Sequence, residues 1–212
     1  MTTFPTPAGF LADPTVDEQV ERMYAADLEG QGYVANLTRV WAHSPETLGV
    51  LSYALKLATD LSGLDPVERN LVVTAAASAL GDAYCSFAFG SKLARSVGPD
   101  ITASIVRGDD SRLTQRGRLL TTWARQVAEN PNGTISEQVA ALREGGFDDR
   151  AIFGLTFFVA LRVAFSTVND ALGATPDPEL LARTPEQLQD AVMFGRRTAP
   201  ATSTASTAVE AS

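Results

Sequence analysis

The stretch that most constrains this chain is Glu68–Gly90, ERNLVVTAAASALGDAYCSFAFG. Leu71, Val72, Val73, Ala75, Ala76, Ala77 and Ala79 leave the segment Pro66–Leu80 apolar on nearly every side. A helix without a polar face has to be buried, so other helices must surround it, and its alanines permit their close approach. Asp65-Pro66-Val67-Glu68 opens it as a capping box with proline at the first helical position. Gly81 breaks it. Asp82 then stands where an N-cap belongs, so Ala83–Val97 reads as a second helix, ended by Gly98-Pro99. Cys85, the only cysteine in 212 residues, lies in its first turn.

The rest of the chain repeats the helical pattern. Asp13-Pro14 starts a helix over Pro14–Glu29, with Val16, Val20, Met23, Tyr24 and Leu28 at helical spacing and Gly30 and Gly32 as its stop. Tyr33–His43 is apolar at helical spacing, and Ser44-Pro45 restarts the chain as Pro45–Leu61, with Leu48, Leu51, Leu55 and Leu57 inward. Asp100–Arg107, Leu113–Glu129 and Ser136–Glu144 follow, the last opened by a capping box at Thr134–Glu137. Asp148 caps a long apolar helix over Arg150–Leu172, with Phe147 and Ile152 as a hydrophobic staple, and Thr184–Gln187 caps Pro185–Gly195. No stretch alternates with period two over a useful length. The expected fold is all-α: an arm over 1–12, a helical domain over 13–195 (N-terminal helices 13–61, core motif 64–97, C-terminal helices 113–195) and a disordered tail over 196–212, which is poor in large side chains. Leu64-x4-Arg69-x-Leu71 and Leu113-x4-Arg118-x-Leu120 form a weak internal repeat.

Composition limits the partners. The net charge is −8 with no basic cluster, which argues against nucleic acid. Any anionic ligand would need a locally positive pocket. The longest apolar run, Ala151–Leu161, falls short of the roughly 18 residues of a membrane span, and the start MTTFPTPAGF lacks a signal-peptide pattern. The expectation is a cytoplasmic protein with no membrane partner.

Candidate chemistry centres on Cys85. A helix N-terminus favours thiolate, but Asp82, three residues earlier on the same face, disfavours a second negative charge and occupies the cap. The expected thiol is quiet. Asp82 becomes the candidate acid/base, with Tyr84 beside it. Asn70, Thr74, Ser78, Phe89 and Arg69 are candidate pocket residues, although Phe89 also suits a core position. A buried Asp82 would need a partner, with Arg69 or Arg95 as options. His43, the only histidine, fits a helix junction bonded to backbone, and Glu68 a cap with a surface ion pair. One cysteine and one histidine are too few for a metal site, and no phosphate-binding or nucleophile-elbow motif is present, so neither metal nor cofactor is expected.

Gly32–Leu48, GYVANLTRVWAHSPETL, and Leu64–Ala94, LDPVERNLVVTAAASALGDAYCSFAFGSKLA, resemble the lead-in and the core motif of the carboxymuconolactone decarboxylase / alkylhydroperoxidase D-like (AhpD-like) family. The resemblance spans roughly residues 10–175 and implies an all-helical bundle that assembles as a homo-oligomer, a trimer or hexamer. Peroxidatic members use a Glu, a Cys-x-x-Cys and a His, in which Glu and His relay the attacking thiol's proton and the other thiol resolves the sulfenic acid. Those positions fall here on Asn70, Asp82, Cys85 and Phe89. Only Cys85 survives, so a two-cysteine cycle is not possible. Three readings stay open: altered chemistry on a small-molecule substrate near Asp82, Tyr84 and Cys85; residual antioxidant, oxidoreductase chemistry through Cys85 alone; and a non-catalytic binding or assembly member.

Overall fold

The computed structural model describes residues 7–196. The proposed tail, apart from Arg196, and the first half of the proposed arm lie outside the described residues. Within them the chain forms α1 (Glu18–Gln31), α2 (Asn36–Trp41), α3 (Pro45–Ser62), α4 (Pro66–Leu80), α5 (Ala83–Val97), α6 (Pro99–Val106), α7 (Gln115–Glu129), α8 (Ser136–Glu144), α9 (Asp149–Ala171), α10 (Pro178–Ala182) and α11 (Glu186–Ala191), with a 3-10 turn at Pro131–Gly133 and no strand.

The helix α4 is the axis of the bundle, as its sequence requires. Leu71, Val72, Val73, Ala75 and Ala76 pack with Leu93 of α5, Leu120 and Ala124 of α7, and Leu155 and Val159 of α9. Its start is the expected capping box: the Asp65 carboxylate accepts from the Val67 and Glu68 amides, and the Glu68 carboxylate accepts from the Asp65 amide at 3.2 Å. Glu68 also pairs with Arg116, Nε to Oε1 2.5 Å. Gly81 closes the helix at φ 74°, a conformation that favours glycine. The next residue, Asp82, caps α5.

The helices α3 and α9 run antiparallel. Phe165, late in α9, clusters with Leu48 and Leu51, early in α3. At the other end Gly154 lies against Leu61 and Ser62, where an added Cβ would stand 2.5 Å from the Ser62 nitrogen. Glycine there lets the two backbones touch. By length and composition α9 could cross a membrane, but its inner face, with Leu155, Phe158 and Val159, is bundle core.

Several expectations need correction. The first helix begins at Glu18, not Pro14, because Asp17 is the cap, accepting from the Gln19 and Val20 amides at 2.9 Å. Asp13 instead binds the buried Arg39 guanidinium, 2.5 Å from Nη2. At the start of α8 the Thr134 hydroxyl donates to the Pro131 carbonyl, and the side chain that reaches back is Gln138, which accepts from the Ile135 amide at 3.0 Å. Thr184 likewise donates backward to Leu180, at the end of an α10 that the pattern did not reveal, so α11 shrinks to Glu186–Ala191. Leu57 and Leu28 face outward, and Val16, which precedes α1, is exposed too. The apolar excess of α4 is covered within one chain. Only Val67, at its first turn, is an exposed large apolar side chain of α4, whereas α3 exposes Val50, Tyr53 and Leu57, and α9 exposes Phe153 and Phe157.

Candidate functional site

Asp82 is fully buried, and both its carboxylate oxygens are engaged. Oδ1 accepts from the Cys85 amide at 2.8 Å, the N-cap bond of α5, and Oδ2 accepts from the Ser166 hydroxyl at 2.6 Å. Its partner is therefore an α9 hydroxyl, not Arg69 or Arg95. Cys85 is buried in an apolar cluster with Trp41, Ala77 and Phe165. The Arg162 Nη2 donates to its sulfur at 3.2 Å. Burial raises the thiol pKa well above its ordinary value, Asp82 adds to the rise, and the opposing pull of Arg162 does not offset them.

Arg162 links this buried cluster to open space. Its guanidinium carbon lies 4.5 Å from the ring centre of Phe89 and 4.7 Å from that of Phe165. Phe165 stacks on Trp41 at 5.2 Å, and the Trp41 indole N–H donates to Asn169 at 2.7 Å. Lys92 sets its ammonium 4.7 Å from the Phe89 ring. Beyond Phe89 lies a half-open cavity of about 690 Å³. Its walls are Ser52, Leu55, Lys56, Thr59 and Asp60 of α3, Pro66, Arg69 and Asn70 of α4, Phe89 and Lys92 of α5, and Phe158 and Arg162 of α9.

The candidate residues thus divide. Arg69, Asn70 and Phe89 line the cavity, and Cys85 and Asp82 lie behind its wall, joined to it through Arg162. Thr74 and Ser78 do not line it. Each hydroxyl is spent on its own helix, Thr74 on the Asn70 carbonyl at 2.7 Å and Ser78 on that of Ala75 at 3.0 Å. Tyr84, about 100° round the helix from Cys85, points elsewhere. It packs on Ala8, Val40 and Ala174, and its hydroxyl donates to Asp177, which also accepts from the Asn36 amide. His43 donates from Nε2 to the Ala12 carbonyl at 3.0 Å, a junction role. Among the described residues no three His, Cys, Asp or Glu side chains are grouped to hold a metal.

Sequence reading missed Arg162, Ser166 and Asn169. They recur at i, i+4 and i+7 on one face of an otherwise apolar helix, and that polar stripe was the available signal.

No family model matches the chain, and no curated protein matches its sequence. Solved structures do match. An uncharacterised peroxidase-related protein from Ralstonia eutropha JMP134, described as an alkylhydroperoxidase AhpD core, superposes with a TM-score of 0.72 at 20% identity, covering 85% of this chain and 100% of its own. A peroxidase-related protein from Silicibacter sp. TM1040 gives 0.69 at 21% identity, over 85% and 97% of the two chains. The debrominase Bmp8 gives 0.67 at 15%, over 86% and 97%. The fold is AhpD-like. Asn70 and Phe89, onto which the sequence resemblance sets the family's Glu and His, both face the cavity. Neither side chain can relay a proton at neutral pH. The Arg162 guanidinium, which bonds to the sulfur, donates and cannot accept.

Proposed function

We propose that this chain is an AhpD-like protein of altered active site that acts, without a cofactor, on a small organic molecule bound in the cavity between α3, α4, α5 and α9. The observation that carries this is the cavity itself, about 690 Å³, a size usual for small-molecule sites, with Arg162 spanning from its wall to Cys85. The likeness to Bmp8, which as a cysteine-to-alanine variant is solved in complex with 2,3,4-tribromopyrrole, supports a small-ring ligand. A thiol peroxidase cycle at Cys85 is the weaker reading, since the sulfur is buried, is held protonated, and has no proton acceptor beside it other than the occupied Asp82. We also infer self-association through the exposed apolar faces of α3 and α9.

A screen of small cyclic organic compounds by thermal shift tests the reading, run on the wild type and on Asn70→Trp, which narrows the cavity from its α4 wall. Hits that stabilise the wild type and lose their effect in Asn70→Trp support it. Hits that stabilise both equally, or no hits, overturn it.

A further inference from the structure

The cavity is cationic in a chain whose net charge is −8. Four of its lining residues, Lys56, Arg69, Lys92 and Arg162, carry positive charge, and the last three make no ion pair with a carboxylate among the described residues. The one acid in its wall, Asp60, is taken by Lys56 at 2.6 Å. The three free cations therefore have no local compensation within the cavity.

Two of their donors are also idle. The Nε of Arg69 and the Nε of Arg162 are buried and bond to nothing among the described residues. Arg162 is only 7% exposed, and its sole hydrogen bond to a protein group goes to a neutral thiol. Burying a charged fork without an anion is unfavourable. The cations also act on one another: desolvation and then the charges of Arg162, Arg95 and Arg69 hold the Lys92 ammonium below its ordinary pKa. A bound anion would satisfy the idle donors and relieve the repulsion.

We propose that this cavity selects a small organic carboxylate, its carboxyl group held by Arg69 and Arg162 with Lys92 at the rim, and its apolar body against Leu55, Phe89 and Phe158. The assignment rests on the cavity being the ligand site. The walls decide between an organic acid and a phosphate. Guanidinium forks fit both anions, but a phosphate cradle also draws on backbone amides at a helix start. The helix start at this cavity is that of α4, where Pro66 has no amide hydrogen and the Asp65 carboxylate already occupies the Val67 and Glu68 amides. The remaining surface is aliphatic and aromatic, suited to a carbon skeleton.

The test is a calorimetric titration of the full chain with benzoate and hexanoate, their neutral isosteres benzamide and hexanamide, and inorganic phosphate. At least one acid should bind about tenfold or more tightly than its amide, since a charged hydrogen-bonded pair is lost in the amide. Arg69→Gln and Lys92→Gln, both at positions with solvent access, should weaken the acid by a similar factor and leave the amide unchanged, with thermal midpoints confirming that both variants fold. Acid and amide binding equally would overturn the proposal while leaving the cavity a ligand site. Phosphate matching the acids would overturn the choice of an organic acid. Binding of none of the probes would overturn both the proposal and the reading beneath it.

Discussion

Arg162 donates to the sulfur of Cys85 across 3.2 Å, yet this contact does not make the thiol acidic. A guanidinium beside a thiol ordinarily favours thiolate. Here desolvation is the larger effect and Asp82 reinforces it. The native thiol should therefore react with iodoacetamide near neutral pH on the order of a hundredfold or more slowly than in urea-unfolded protein, because reaction waits for local opening. Mass spectrometry of timed quenches reads the rate. Equal native and unfolded rates would show an accessible thiolate and would restore the peroxidase reading.

The Asp82 carboxylate joins two helices, capping α5 and accepting from Ser166 of α9. Asp82→Ala removes the cap and orphans a buried hydroxyl, a combined loss of about 2–4 kcal/mol. Asp82→Asn keeps an acceptor for the Cys85 amide and should cost less. Urea denaturation of the two variants measures the order. Wild-type stability in Asp82→Ala would mean that these bonds are not structural, and the side chain would return as an acid/base candidate.

Asp170 gives a pH signature. Burial first, then the charge of Asp82, raises its carboxyl to about 6, against an ordinary value of 3.8, with Arg196 opposing. The folded state thus binds this proton more tightly than the unfolded chain. The stabilisation is present below about pH 4, is lost as pH rises through about 6, and leaves an ionised, poorly solvated carboxylate at neutrality. Asp170→Asn should be more stable than the wild type at neutral pH, with the difference closing as pH falls toward 4. Thermal midpoints across this range check it. A difference independent of pH would remove the titration from the explanation.

The helical frame was legible in the sequence, and so were three of the cavity's residues, Arg69, Asn70 and Phe89. The ends of α4 and α5 were legible because Asp65, Gly81, Asp82 and Gly98 are local signals whose bonds stay within a few residues. Local signals misled where a hydroxyl had a competing neighbour, as at Thr134 and Thr184, or where a distant charge claimed a cap, as Arg39 claims Asp13. The relation of Cys85 to Arg162 spans 77 positions and depends on how α9 lies across α5. Nothing near either residue encodes that crossing. The motif positions Asn70 and Phe89 face the cavity, while Tyr84, adjacent to Cys85 in the chain, faces Asp177.

On α3, Val50, Tyr53 and Leu57 lie at helical spacing and are 71%, 64% and 42% exposed, and on α9 Phe153 and Phe157 stack on each other at 6.1 Å with Phe153 63% exposed. Because α3 and α9 pack side by side, large apolar groups on both helices face solvent, an arrangement that marks an interaction surface. The wild type should sediment as a homo-oligomer, a trimer or hexamer. Phe153→Glu and Tyr53→Glu should each shift it toward monomer, by placing a charge at the centre of the contact in a chain already at −8. The bundle core lies on the opposite side of both helices, so helical content by circular dichroism should be unchanged. A monomeric wild type, or variants that associate as the wild type does, would rule out this face as the contact between copies.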